Sequence, residues 1–283
     1  MPVLVLADLH LDLWLRAGRD PLANLDPDLL SSLDALIVAG DLSDAPQFRW
    51  PLALQHLGNY VPPARIHVVP GNHDYYRHTI EDDDRLAEIC ADAGAHLAQK
   101  AEIITGDTRY LCCTLWTDFM LSGNQGDAMK RAQGGMNDYL YVRNSNEDGR
   151  WLLPTDTARV HTDHRAWLAS RLADPFQGRT MVVTHHCPHP EMIGATPEEL
   201  APAYGSNLLP LIKQHRPDAW LFGHTHHRVD SKVGQTVIRN VSLGYPWQVS
   251  RGSEAVTLMR GCSDHWEITS RDPTGHGTRK GQA

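Results

Sequence analysis

Five short apolar runs, at 3–7, 35–39, 66–69, 180–184 and 219–222, each end at or just before a polar residue of metal-binding type. The runs are four or five residues long and rich in β-branched side chains, with little alternation. Strands covered on both faces read this way, whereas a half-exposed strand alternates. Helical patterns lie between them, at 46–59, 80–93, 157–173 and 207–215. Strand and helix in turn predict an α/β fold with layered sheets. Toward the C-terminus, 228–233, 235–240 and 255–259 read as further strands joined by short Gly-containing turns. Gly234 lies in a hairpin connection, and these strands are expected to complete a second sheet.

The length of 283 residues fits one large α/β domain, expected over 1–270 with no second boundary. The segment 117–155 is the least regular, with Gly123, Gly126, Gly134, Gly135 and Gly149 scattered through it. It reads either as a functional lid or mobile loop, or as a variable surface excursion. Residues 271–283 are Gly-rich, polar and aperiodic, the pattern of a disordered tail. A net charge of −8 and a pI near 6.1 give no general footprint for nucleic acid or an anionic membrane. Five cysteines, an odd number with no CxxC pair, argue against a disulfide framework and for a reducing cytoplasm. Cys112 and Cys113 read as core or strand residues, and Cys187, after a His pair, as a residue near a site. The first apolar run is too short for a signal peptide, and none approaches the ~20 residues of a spanning helix.

The polar residues after these runs form a series: Asp8 and His10; Asp41 and Asp44; Asn72, His73 and Asp74; His185 and His186; His224 and His226. Asp8 and His10 are two apart, and in extended backbone such side chains point the same way. Asp41 and Asn72 each follow a Gly, which lets the backbone turn sharply and approach closely. A carboxylate such as Asp41 can offer one oxygen to each of two metals, while the Asn72 amide is a neutral oxygen ligand. Individually these are strand caps or Asx turns. Together, Asp8, His10, Asp41, Asn72, His185, His224 and His226 can hold two metal ions that share a ligand, at the carboxyl ends of the strands where α/β sheets bind ligands.

The series Asp8-x-His10, Gly40-Asp41-x-x-Asp44, Gly71-Asn72-His73-Asp74, His185 and Gly223-His224-x-His226 resembles the calcineurin-like metallophosphoesterase superfamily, in its order and over most of the chain. The resemblance implies a four-layer α/β/β/α sandwich of two mixed sheets flanked by helices. It also implies two divalent ions (Mn, Fe or Zn). Asp8, His10, Asp41 and His226 would hold the first; Asp41, Asn72, His185 and His224 would hold the second. A metal-bridging hydroxide would attack phosphorus, with His73 as general acid oriented by Asp44.

Two features depart from parts of that family. Asp74 stands where many of its phosphatases carry Glu, and Ala45-Pro46 follows Asp44 where the protein-phosphatase branch has Arg-Gly. The expected substrate is a small phosphomonoester or phosphodiester. A DNA nuclease of the same superfamily is the alternative, disfavoured by the net charge, and a non-catalytic metal-binding scaffold is a further one. His189 and His227 are candidates to touch substrate phosphate, or else solvated or capping residues. Tyr75, Tyr76, Trp116 and Asp118 are candidates for the mouth of the site, and Asp12 for support behind it.

Overall fold

The computed structural model describes residues 2–145, 149–194 and 196–262, so the expected tail lies outside the described residues. Strands β1 (Val3–Leu6), β2 (Ala35–Ala39), β3 (Ile66–Val69) and β4 (His96–Leu97) form one sheet in that order, parallel throughout. The second sheet contains β5 (Ala101–Thr105), β6 (Thr108–Cys113), β7 (Arg179–Thr184), β8 (Ala219–Phe222), β9 (Asp230–Val233) and β10 (Thr236–Asn240). Its order is β5-β6-β7-β8-β10-β9; the inner four strands are parallel and the two edge strands antiparallel. The mixed character therefore belongs to the second sheet.

Successive side chains of each strand are apolar on both faces and divide between two layers of core. Val3, Val5, Ala35, Ile37 and Ala39 face Tyr110, Cys112, Met181, Val183, Ala219 and Leu221 across the space between the sheets. Leu4, Leu6, Leu36 and Val38 point the other way, into a core closed by the helices Pro46–Leu57 and Asp83–Asp92. Leu111, Val182, Trp220 and Phe222 do the same on the far side, under the helices Pro154–Ala173 and Leu209–His215. Helix, sheet, sheet and helix make the four-layer sandwich. Beneath the helices lie large side chains such as Leu4, Leu36, Trp220 and Phe222, while the layer between the sheets mixes Ala, Val and Cys with Ile37, Tyr110, Met181 and Leu221, as interdigitating sheet faces do.

Three elements differ from expectation. Residues 255–259, expected as a strand, lie largely in the helix Glu254–Leu258. Val256 and Thr257 carry strand propensity, but Ala255, Leu258 and Met259 pack on the helix-side core at helical spacing while Val256 faces solvent. The segment 117–155 holds the helices Gln125–Gly135 and Asp138–Tyr141, the first capped by the Asn124 carboxamide. Its Ala128, Ala132, Met136, Tyr139 and Leu152 are buried in the core. The pair β5–β6, turning at Gly106 (φ +60°), was not expected as a hairpin. The five cysteines are all free and buried. Among the described residues no helix is long and apolar enough to cross a membrane.

Candidate metal centre

The carboxyl ends of β1, β2 and β3 meet those of β7 and β8 at one edge of the sandwich. Asp8, Asp41, Asn72, His185 and His224 project from those ends. The chain turns there through the left-handed region at Asp8 (φ 55°), His10 (39°), Asp41 (58°), His224 (65°) and His226 (50°). Such residues cost about 1–3 kcal/mol each away from a site that enforces them. Two glycines make the turns possible. A Cβ on Gly40 would overlap the His185 ring, and one on Gly71 would overlap the Asp41 carboxylate.

Asp41 lies at the centre. Its Oδ2 is 3.6 Å from His10 Nε2 and its Oδ1 is 3.4 Å from His185 Nε2. Asp8, His10 and His226 form one group with ligand atoms within 4.8 Å of one another; Asp41, His185 and His224 form another. The Asn72 Oδ1 is 3.0 Å from His185 Nε2. All seven residues converge, and the imidazole Nε2 atoms of His10 and His224 are buried with no hydrogen-bond partner among the described residues. Buried polar atoms are seldom left so in proteins, and a cation would satisfy both. Burial holds the His10 and His224 imidazoles well below their usual pKa, so both are neutral with lone pairs available.

Neighbours fix the direction of three of these candidate ligands. His185 Nδ1 donates to the Ala39 carbonyl (3.0 Å) and His226 Nδ1 to Gln248 Oε1 (2.7 Å), leaving both Nε2 atoms turned inward. Gln248 Oε1 also accepts from the Tyr245 N–H (2.8 Å), so the amide oxygen is held toward the imidazole. Asp8 accepts from the Ser242 hydroxyl (2.5 Å) and from the His224 N–H. Burial would raise the Asp8 carboxyl, but the neighbouring imidazoles, His226 foremost, together outweigh it and hold the carboxyl below the usual range.

His73 stands beside this cluster. Its Nδ1 pairs with Asp44 Oδ1 at 2.9 Å, and its ring stacks on Tyr76 with centroids 4.3 Å apart. Burial disfavours its charged form, yet the carboxylates of Asp41, Asp44 and Asp138 prevail and push it up to about 9. Asp74 is fully buried beneath the loops. It accepts from the backbone N–H groups of Asp41, Leu42, Ser43 and Gly71 and from the Trp50 indole. It ties the turn after β2 to the turn after β3, a role its place in the motif did not reveal.

A cavity of about 300 Å³ opens over Asp41, Asn72, His73, His224 and His226, walled by Tyr76, Met136, Asn137, Tyr204, Tyr245 and Gln248. The outer candidates fall elsewhere. Tyr75 is buried and donates to Asp83, because the turn His73–Tyr75 sends it inward and leaves only Tyr76 over His73. Trp116 is buried against His186, which in turn packs on His224 at 4.3 Å. His189 caps the turn Pro190–Met192 through the Glu191 N–H, and His227 is exposed; neither lines the cavity. Asp118 also lies off the cavity wall, its N–H bonded to Ser206. Asp12 binds Arg49 (2.6 Å), which lies 3.9 Å from Asp44. The Cys187 thiol donates to the His189 carbonyl, and burial pushes it up to about 12, so it is inert.

A four-layer sandwich with Asp, Asn and His converging at the carboxyl edge of both sheets defines the class: an α/β protein built around a candidate metal centre. The chain belongs to the calcineurin-like phosphoesterase family, whose model matches residues 1–228. The fold is similar to the crystal structure of phosphopantetheinyl hydrolase from Mycobacterium tuberculosis, with a TM-score of 0.69 over 87% of this chain and 90% of that one, at 19% identity. Protein L509 of Acanthamoeba polyphaga mimivirus is 24% identical over a 201-residue alignment, covering 64% of this chain and 68% of that protein.

Proposed function

We propose that the protein is a dinuclear-metal-dependent hydrolase of small phosphomonoesters or phosphodiesters. The observation that carries this is Asp41, whose two oxygens face His10 and His185 separately, while the buried Nε2 atoms of His10 and His224 have no hydrogen-bond partner among the described residues. Asp8, His10, Asp41 and His226 would hold one ion and Asp41, Asn72, His185 and His224 the other, with Asp41 shared. Bound there, two divalent cations (Mn, Fe or Zn) supply Lewis acidity toward phosphoryl oxygens and acidify a water molecule.

The chain's own contribution to the chemistry is proton delivery and confinement. Asp44 accepts from His73 Nδ1–H, which fixes the tautomer and leaves Nε2 as the proton-delivering atom. The Asp44 carboxylate bonded at Nδ1 favours the imidazolium, the form that would protonate a leaving alkoxide. Tyr76 stacked on one side of the ring limits its tilt. Beyond the candidate ligands and His73, the cavity wall contains no Lys or Arg among the described residues; it offers Tyr, Asn, Gln, Thr and Met. Such a wall suits one phosphoryl group on an uncharged leaving group, and it disfavours a polynucleotide, whose backbone calls for a basic track.

The test pairs metal analysis with leaving-group dependence. The purified protein is expected to take up two divalent ions per chain. His73→Ala should retain both while losing on the order of 10²–10⁴-fold in kcat on alkyl phosphate esters and far less on p-nitrophenyl esters. Equal losses on both ester types would remove the acid role, and a chain that takes up no metal would remove the reading as a whole.

A further inference from the structure

An asparagine ligand is ambiguous in a way that a carboxylate is not. Its amide can be turned by half a rotation, presenting NH₂ where the oxygen should be, at almost no change in shape. The resolution here comes from the segment that carries no metal motif. Asp138, at the start of the helix Asp138–Tyr141, is 3% exposed, and its Oδ1 accepts from Asn72 Nδ2 at 2.8 Å. A carboxylate only accepts, so the amide must turn its NH₂ toward Asp138 and its oxygen the other way. That oxygen lies 3.0 Å from His185 Nε2, in the Asp41–His185–His224 group. The same Oδ1 accepts from the Tyr76 hydroxyl at 2.8 Å, and Tyr76 is the ring stacked on His73.

We infer that Asp138 is a positioning residue which keys the Asn72 amide, oxygen toward the metal site, and anchors the ring that packs on His73. The inference rests on the dinuclear reading above. It gives the 117–155 segment a function beyond walling the cavity: Gly135, Met136 and Asn137 line it, and the next residue orients a ligand. Asp138 faces Asn72 and Tyr76 and touches no ligand of the Asp8–His10–His226 group, so its loss should fall on one ion only.

The experiment is calorimetric titration of the chelator-stripped full chain with Mn²⁺, reading both dissociation constants, alongside thermal unfolding. The variants are Asp138→Leu, Asp138→Asn and, as the reference for a lost amide, Asn72→Ala. Asp138→Leu is expected to weaken one ion by 10–100-fold, as loss of a ligand's orienting partner typically does, and to leave the other unchanged. Asp138→Asn keeps an acceptor facing the amide and should return that affinity to within about threefold of wild type. Two unchanged constants in Asp138→Leu overturn the proposal. So does equal weakening of both with a lowered Tm, which marks a scaffold residue. Wild-type protein that binds no second ion, with Asn72→Ala indistinguishable from it, overturns the dinuclear reading and this proposal together; a normal wild type with an inert Asp138→Leu overturns this proposal alone.

Discussion

The Asp74 carboxylate is surrounded by donors alone, and that makes its replacement by asparagine calculable. Oδ2 accepts from Asp41 N (2.7 Å), Gly71 N (2.8 Å) and Leu42 N (3.3 Å), and Oδ1 from Trp50 Nε1 (2.9 Å) and Ser43 N (3.1 Å). In Asp74→Asn the amide does best with its oxygen at the three-donor position. Its NH₂ then faces Ser43 N–H and the Trp50 indole N–H. Each buried donor without an acceptor costs about 1–3 kcal/mol, so the variant should lose roughly 2–6 kcal/mol. Trp50→Phe alone removes one donor to a charged acceptor and should cost about 1.5–3 kcal/mol. In the Asp74→Asn background the same change deletes one of the two orphans and should recover about 1–3 kcal/mol. The double variant is therefore expected to be more stable than the sum of the singles by about 2.5–6 kcal/mol, at or above the upper end of the ~0.5–3 kcal/mol usual between contacting residues. Urea unfolding at pH 8 in chelator measures this without stabilisation by bound metal. Additivity to within about 0.5 kcal/mol would refute the knot of donors as the reason for a buried carboxylate at this position.

Gly40→Ala places a methyl group in the His185 ring on a backbone with φ +93°, so soluble protein, if recovered, should have lost metal uptake; wild-type metal content would show that the turn relaxes freely. Asp156 is gripped by Arg150 through two bonds of 2.7 and 2.8 Å and by the Leu153 N–H at 2.9 Å. Burial acts against ionisation there, but these partners prevail and lower the carboxyl pKa. A carboxyl lowered in the folded state stabilises above its unfolded value of about 3.9 and loses that contribution as the pH falls through the folded value. Asp156→Asn should therefore cost about 1 kcal/mol at pH 7, with the gap to wild type closing below pH ~4. A gap constant from pH 3 to pH 7 would contradict the ion pair as its source.

The parts of this molecule legible in the sequence are those encoded by neighbouring residues. A run such as Ala35–Ala39 followed by Gly40-Asp41 states locally both a buried strand and a turn that exposes a carboxylate at its end. The same holds at β1, β3, β7 and β8, so the inner strands and the seven converging side chains could be read in order. What could not be read depends on distant partners. Asp138 meets Asn72 across 66 residues, Gln248 meets His226 across 22, and Ser242 meets Asp8 across 234. None of the three has a spacing signal, because each is placed by another element's packing. Arg19 shows how indirect the placement is: it binds Glu254 and the carbonyls of Pro246 and Val249, and so holds the loop that carries Gln248. Short segments failed for a related reason. Tyr75 and Tyr76 are chemically alike, and only the turn at His73–Tyr75 decides which enters the core. At 254–258 local propensity favoured a strand, while packing of Ala255, Leu258 and Met259 on the core favoured a helix, and burial outweighs propensities of well under 1 kcal/mol per residue. A ligand must lie at a strand end to reach the cation, so its position is constrained along the chain. The residue that orients it needs only to arrive from any side with the right donor or acceptor. Orientation is therefore the part of such a site most free to vary in sequence, and the walls that supply it are where specificity can change without disturbing the ligands.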